Sequence, residues 1–138
     1  NFRWSTVYAT GENASSDARF KEEVSVSFGS EFIKKLRPRT YIRKASYDMP
    51  EDQKTEWDED RKYPDGTNRT VGFIAQEVEE VLDDLGINKN DFAGFDDKEP
   101  THLSLIYSQF IPSLVTALQE KKAFREKLEE RVTKLENK

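Results

Sequence analysis

Residues 105–135, LIYSQFIPSLVTALQEKKAFREKLEERVTKL, decide the fold. Their apolar positions recur at helical spacing. With Leu128 set at position d of a heptad, Ile111, Leu118, Arg125 and Val132 fall at a. Tyr107, Leu114, Lys121, Leu128 and Leu135 then fall at d. Lys121 and Arg125 interrupt an otherwise apolar seam at its centre. A helix of about 30 residues is longer than an ordinary domain helix without partners. It packs either along its own domain or, as the heptads favour, in a parallel coiled coil shared between chains. The a and d identities alone do not set the number of chains.

Working upstream, VGFIAQEVEEVLDDLG, residues 71–86, starts as a strand and continues as a helix. Val78, Val81, Leu82 and Leu85 share its apolar face, and Gly86 closes it. Residues Ile87 to Pro100 read as a polar loop, and Thr101–Leu105 as a short pairing strand. Ser30 is the expected N-cap of a short helix, Glu31 to Leu36, with Glu31 in its first turn. Pro38 ends that helix, because the residue before a proline is driven out of the α region. Thr40–Lys44 reads as a strand. Val24, Val26 and Phe28 alternate with Ser25 and Ser27 as in another strand, and so do Phe2, Trp4, Thr6 and Tyr8 in Phe2–Thr10. That first strand stops at the turn-prone run Gly11–Ser16.

Residues 46–70 differ from the rest. Pro50, Pro64, Gly66 and many charges leave few aliphatics, and connections of this length tend to carry function. Trp57 and Tyr63 sit inside. Either this is a solvated loop, or it is a protruding arm that grips something through those aromatics, with a hairpin turn at Pro64–Gly66 as its stem. The whole reads as α+β: a small mixed domain with short strands, a long arm and a long C-terminal helix in a coiled coil.

Composition narrows the function. Hydrophobic residues make up 35% of the 138-residue chain and charged residues 36%. That is lean for a lone small domain, and several chains sharing a core would remedy it. The aromatic content of 12% argues against plain disorder. The net charge of -5, with both signs interspersed, argues against nucleic acid as a partner. With no cysteine, there is no thiol nucleophile or thiolate metal site. No apolar run approaches the roughly 20 residues of a membrane helix, so no membrane partner is expected. The opening NFRWSTVYAT lacks the regions of a signal peptide and reads as the continuation of a longer chain.

Few residues could carry chemistry. His102 is the only histidine, so a histidine-centred triad would rest on one residue. Asp58, Glu59 and Asp60 lack the spacing of a calcium loop, and no glycine loop suits phosphate. No cofactor and no metal are expected. A serine–lysine dyad needs only a hydroxyl beside an amine, because a lysine shielded from water gives up its proton more readily. Ser16 and Lys21 form one such pair among many. Positions i and i+5 lie on opposite faces of a strand and about 140° apart on a helix. The pair can therefore meet only if the chain bends between them, or if each meets a partner on another subunit.

Four segments taken together resemble one family. They are SDARFK (16–21), LRPRTYIRK (36–44), GFIAQEVEEVL (72–82) and YSQFIPSLVTALQE (107–120). Each alone is weak; four in this order resemble the intramolecular chaperone, auto-processing domain at the C-terminus of phage tail spikes and fibres. Endosialidase tailspikes and the myelin regulatory factor carry the same domain. The resemblance spans about Trp4 to Leu135, apart from the arm.

The resemblance implies a homotrimer, and hence a trimeric coiled coil. It implies that residues 1–15 end an upstream triple-stranded β fibre and that 16–138 form the chaperone, with the C-terminal helix at 105–137. Such a domain templates folding of the upstream fibre region of its own polypeptide, then cuts itself off. The resemblance makes Ser16 the nucleophile, Lys21 its base and Ser15–Ser16 the scissile bond. Asp17 and Arg19 are expected to position the loop, which should be bent and partly buried in the trimer. Gln76 and Glu77 either support the site or cap a helix. The expected setting is the host cytoplasm during virion assembly, with the released domain absent from the mature tail. Two other readings stay open: a trimerisation module that does not cleave, and a receptor-binding tip of a tail fibre.

Overall fold

The computed structural model describes residues 16–42, 69–98 and 103–138. The arm with Trp57 and Tyr63, the upstream strand with Ser15, and His102 all lie outside the described residues.

Mixed short elements and one long helix make up the described chain, as the α+β reading expects. In order these are α1 (Ser30–Lys35), β1 (Arg39–Tyr41), β2 (Thr70–Gly72), α2 (Ala75–Asp84), β3 (Phe95–Asp96), β4 (Ser104–Leu105) and α3 (Phe110–Glu136). β1 pairs antiparallel with β2, Arg39 opposite Gly72 and Tyr41 opposite Thr70. The ladder brings together the two ends from which residues 43–68 depart. β3 pairs antiparallel with β4.

α2 follows the sequence pattern closely. Val78, Val81 and Leu82 are its buried residues. Gly86, at φ 65°, lets the chain turn left-handed after the helix. The Gly86 amide donates to the Asp83 carbonyl and the Ile87 amide to the Leu82 carbonyl, at 3.1 and 2.9 Å. Both bonds satisfy carbonyls that the helix end would otherwise strand.

An aromatic cluster fills the core. Phe32 of α1, Phe92 and Phe110 of α3 meet pairwise, with centroids 5.2 Å apart for Phe32–Phe92 and 5.0 Å for Phe92–Phe110, both edge-on. Phe28 and Phe73 pack on its flanks. Phe92 and Phe95 are buried. This corrects the reading of Ile87–Pro100 as a polar loop: a 3-10 turn at Lys89–Asp91 and the strand β3 turn both rings inward. Two phenylalanines among polar residues have no periodicity to betray them.

Two further expectations change. Ser30 is not the cap of α1 but its first residue, and the cap position is Gly29, with no side-chain cap of its own. The cap comes from far along the chain: Glu120 of α3 accepts the Ser30 amide at 2.7 Å. A Cβ on Gly29 would lie 2.2 Å from a Glu120 carboxylate oxygen, so glycine permits that approach. Residues 24–28 also form no strand. Ser27 Oγ lies 2.6 Å from Thr116 Oγ1, and Phe28 turns into the core. Tertiary bonds to α3 thus hold this stretch, and no β ladder forms along it.

α3 is one continuous helix preceded by a 3-10 turn, Tyr107–Gln109, so it starts at Phe110 rather than at 105. Pro112 falls within its first turn, where amides lack helical partners anyway. Only Phe110 and Ser113 are buried in it, and residues 118–138 are all exposed in the single chain. Packing against its own domain therefore ends near Glu120.

Carboxylates tie the elements together, which predicts acid sensitivity. Hydrogen bonding to Arg39 holds Glu77 below the ordinary glutamate value of 4.5, and the hydrogen bonds from Ser30 do the same for Glu120. A folded-state pKa that is depressed contributes stability above the unfolded value and loses it as pH falls through the folded one. The Tm is therefore expected to be level near neutrality and to fall as pH drops from about 4.5. Glu120→Gln should lower the Tm at neutral pH and flatten the acid limb. A wild-type Tm unchanged down to about pH 3 would refute this.

Candidate active site

The segment SDARFK builds its geometry from local bonds. Asp17 takes an extended conformation and caps a single 3-10 turn, Ala18–Phe20, by accepting the Arg19 amide at 2.9 Å. Asp17 is the kind of residue that closes such turns, because its short carboxylate reaches amides two residues on. The Phe20 amide donates to the Asp17 carbonyl and the Lys21 amide to the Ala18 carbonyl, both at 3.1 Å. The turn reverses the chain between positions 16 and 21. This is the bend that the i, i+5 spacing requires.

As a result, Lys21 Nζ donates to Ser16 Oγ at 2.8 Å within the same chain. The hydroxyl and the amine meet with no intervening residue, and no partner subunit is needed to bring them together.

Arg19 locks the bend from outside. Its Nε lies 3.1 Å from each Asp17 carboxylate oxygen and its Nη2 lies 2.6 Å from Oδ2. Hydrogen bonding to Arg19 holds the Asp17 carboxyl below its ordinary value, and Asp17 raises Arg19 in turn. Asp17 therefore carries its charge at neutral pH while it both caps the turn and fixes the guanidinium. The pair fixes the 3-10 turn through bonds within the segment.

Burial does not follow. Ser16, Arg19, Phe20 and Lys21 are exposed in the single chain, so the partly buried loop expected of a trimer is not seen at this level. After Lys21 the backbone passes through Glu23 at φ 50°, a left-handed value uncommon for a residue with a side chain. It then runs through Val24 and Val26, which are 80% and 84% exposed.

Glu77 is engaged away from the pair. Glu77 receives Arg39 through two bonds, of 3.0 and 2.6 Å, and approaches Arg37 at 3.5 Å. Arg37 in turn donates to Glu80 at 2.9 Å. Among the described residues no hydrogen bond joins Gln76 or Glu77 to Ser16 or Lys21. Glu77 sits in the first turn of α2, where its charge suits the helix dipole. Its bonds to Arg39 fasten β1 to α2. Arg37 and Arg39 of LRPRTYIRK are thus clamps within the domain.

Sequence reasoning missed Glu120 as the residue that anchors the chain downstream of the loop. At position c of the heptads it carries no periodic signal that could have found it.

The family model Peptidase_S74, chaperone of endosialidase, matches residues 16–87. The match begins at Ser16 and takes in SDARFK, LRPRTYIRK and GFIAQEVEEVL; YSQFIPSLVTALQE lies beyond its end. No curated protein and no solved structure matches the chain.

Proposed function

The chain belongs to the chaperone-of-endosialidase family, and from that membership we propose that it is a trimeric intramolecular chaperone that frees itself by cutting the Ser15–Ser16 bond. The observation that carries the proposal is the 2.8 Å contact of Lys21 Nζ with Ser16 Oγ.

The chemistry proceeds in two stages. In the first, Ser16 Oγ attacks the carbonyl carbon of Ser15 while its proton passes to the lone pair of the Lys21 amine. The hydrogen bond reverses for this step, with the hydroxyl donating. The carbon–nitrogen bond then breaks, Lys21 returns the proton to the leaving Ser16 amine, and an ester joins Ser15 to Ser16 Oγ. In the second, water hydrolyses the ester, leaving a carboxylate on Ser15 and a free hydroxyl on Ser16. Backbone amides are the proposed donors to the oxyanion. Asp17 and Arg19 hold the bend throughout.

The trimer accounts for α3. A solitary helix of the length left exposed beyond Glu120 is marginal in water. Ile111, Leu114, Leu118, Leu128, Val132 and Leu135 are all exposed at a and d. Two further copies of the chain would bury that seam. The clamp would then hold the strands of an upstream phage tail spike or fibre in one register, a slow non-local pairing. Release would leave the fibre kinetically stable. Assembly in the host cytoplasm and loss of the domain from the mature tail follow from this reading.

The test is direct. The chain is expressed with its upstream sequence, and the products are run on a denaturing gel and sequenced from their N-termini. A small fragment starting at Ser16 is expected. An uncut chain that still forms trimers would replace the proposal with that of a non-cleaving module, and a domain retained on assembled particles would favour a receptor-binding tip. Deleting Glu51–Thr67 tests the arm: fibre yield should fall several-fold with the trimer intact, and an unchanged yield would remove Trp57 and Tyr63 from the function.

A further inference from the structure

The seam of α3 carries an excess of positive charge. Between the apolar layers at Leu118 and Leu128, position d is Lys121 and position a is Arg125. The flanking e and g positions there are Lys122, Phe124 and Glu129. At a, d, e and g this stretch thus holds three cations against Glu129 alone. Glu129 lies 3.4 Å from Arg125 Nε on the same helix, and Lys122 pairs outward with Glu126 at 3.8 Å. Nothing on the helix is left for Lys121. Glu120, one residue away, is committed to the Ser30 amide on the other side of the helix.

In the trimer these charges triplicate around one axis. Three ammonium and three guanidinium groups would face each other between two leucine layers spaced roughly 15 Å along the axis. Charges taken out of water and left unpaired are strongly destabilising. With Arg125 beside Glu129, the charge left unpaired is that of Lys121, and a counter-charge from outside would offset it.

We infer that the trimer binds a free tetrahedral oxyanion, of the phosphate or sulfate class, on its axis between Leu118 and Leu128. The inference rests on the trimeric reading above. The fit is one of symmetry. A tetrahedral anion set with one bond along the axis offers three equivalent oxygens to three equivalent arginines, and guanidinium is the cation best shaped for such oxygens. The Lys121 layer, about 6 Å away along the helix, adds charge from one side. Assembly of the clamp would then depend on the concentration of the anion, since a ligand that binds only the assembled state stabilises it by mass action.

Inorganic phosphate serves as the probe on the full chain. Calorimetric titration and thermal unfolding are run with phosphate replacing chloride at fixed ionic strength, and sedimentation gives the oligomeric state. The expected result is one phosphate per three chains and a saturating rise in Tm of about 4 °C. The Lys121→Leu, Arg125→Leu double variant should stay trimeric, melt higher without phosphate and show no heat of binding. A wild-type trimer without binding heat, whose Tm rises no more than the general salting effect seen in the double variant, overturns the anion site and leaves the trimer standing. A wild-type chain that sediments as a monomer overturns the trimer and the site together. Should the double variant not fold, the wild-type titration decides alone.

Discussion

Ser16→Ala is expected to leave the polypeptide uncut, with its Tm unchanged. The hydroxyl is the only group of Ser16 that the dyad uses, and the residue is exposed. Its removal deletes the nucleophile without opening a cavity. Lys21→Arg separates charge from base function. Arginine keeps a cation within reach of position 16 but has no lone pair to accept the hydroxyl proton. General-base catalysis contributes about 10²- to 10⁴-fold, so Lys21→Arg should slow cleavage by at least two orders of magnitude. Both variants are followed by the gel assay and by thermal unfolding. Cleavage by Lys21→Arg at the wild-type rate would remove Lys21 as the base. A large drop in Tm in Ser16→Ala would show that the loop holds the fold and that its loss of cleavage is indirect.

Phe32→Ala is expected to destabilise the domain by about 3–5 kcal/mol, the usual range for emptying a buried phenylalanine site. Phe32 is 1% exposed and touches Phe28, Phe92 and Phe110, which belong to three separate parts of the chain. The surrounding rings cannot collapse into the space together. Domains of this size have only about 5–15 kcal/mol in hand, so partial unfolding at physiological temperature is the expected phenotype. Urea denaturation measures it. A change below about 1 kcal/mol would mean that the cluster repacks and that Phe32 is not its centre. α1 carries Phe32 beside the Gly29–Glu120 contact, so this variant should also loosen the stretch after the dyad. Core and dyad variants should therefore differ in kind. One loses the fold, and the other only the cut.

What was legible in the chain follows the range of the signal. α2 was read from Val78, Val81, Leu82 and Gly86, and α1 from Pro38, because periodicity and backbone preference act within a few residues. β1 was read as Thr40–Lys44 but runs Arg39–Tyr41, and β2 starts at Thr70, one residue before its reading, since short strands take their limits from their partners. Ser16 and Lys21 could be named as a pair but not joined. Their spacing was wrong for either regular structure, and only a turn capped by Asp17 brings them to 2.8 Å. The strand expected at Val24–Phe28 failed because alternation describes a face without saying that a partner strand exists to pair with it.

The sequence by itself determined the α+β class, the long C-terminal helix with its heptads, and the motif in which the candidate dyad sits. These depend on the order of neighbouring residues, and that order is what a chain displays. Only the tertiary structure decided that Phe92 and Phe95 belong to the core, that Glu120 caps α1 from 90 residues away, and that α3 leaves its domain beyond Glu120 with its seam bare. Such contacts join residues whose separation carries no period, so side-chain shape and charge select them after the local elements have formed.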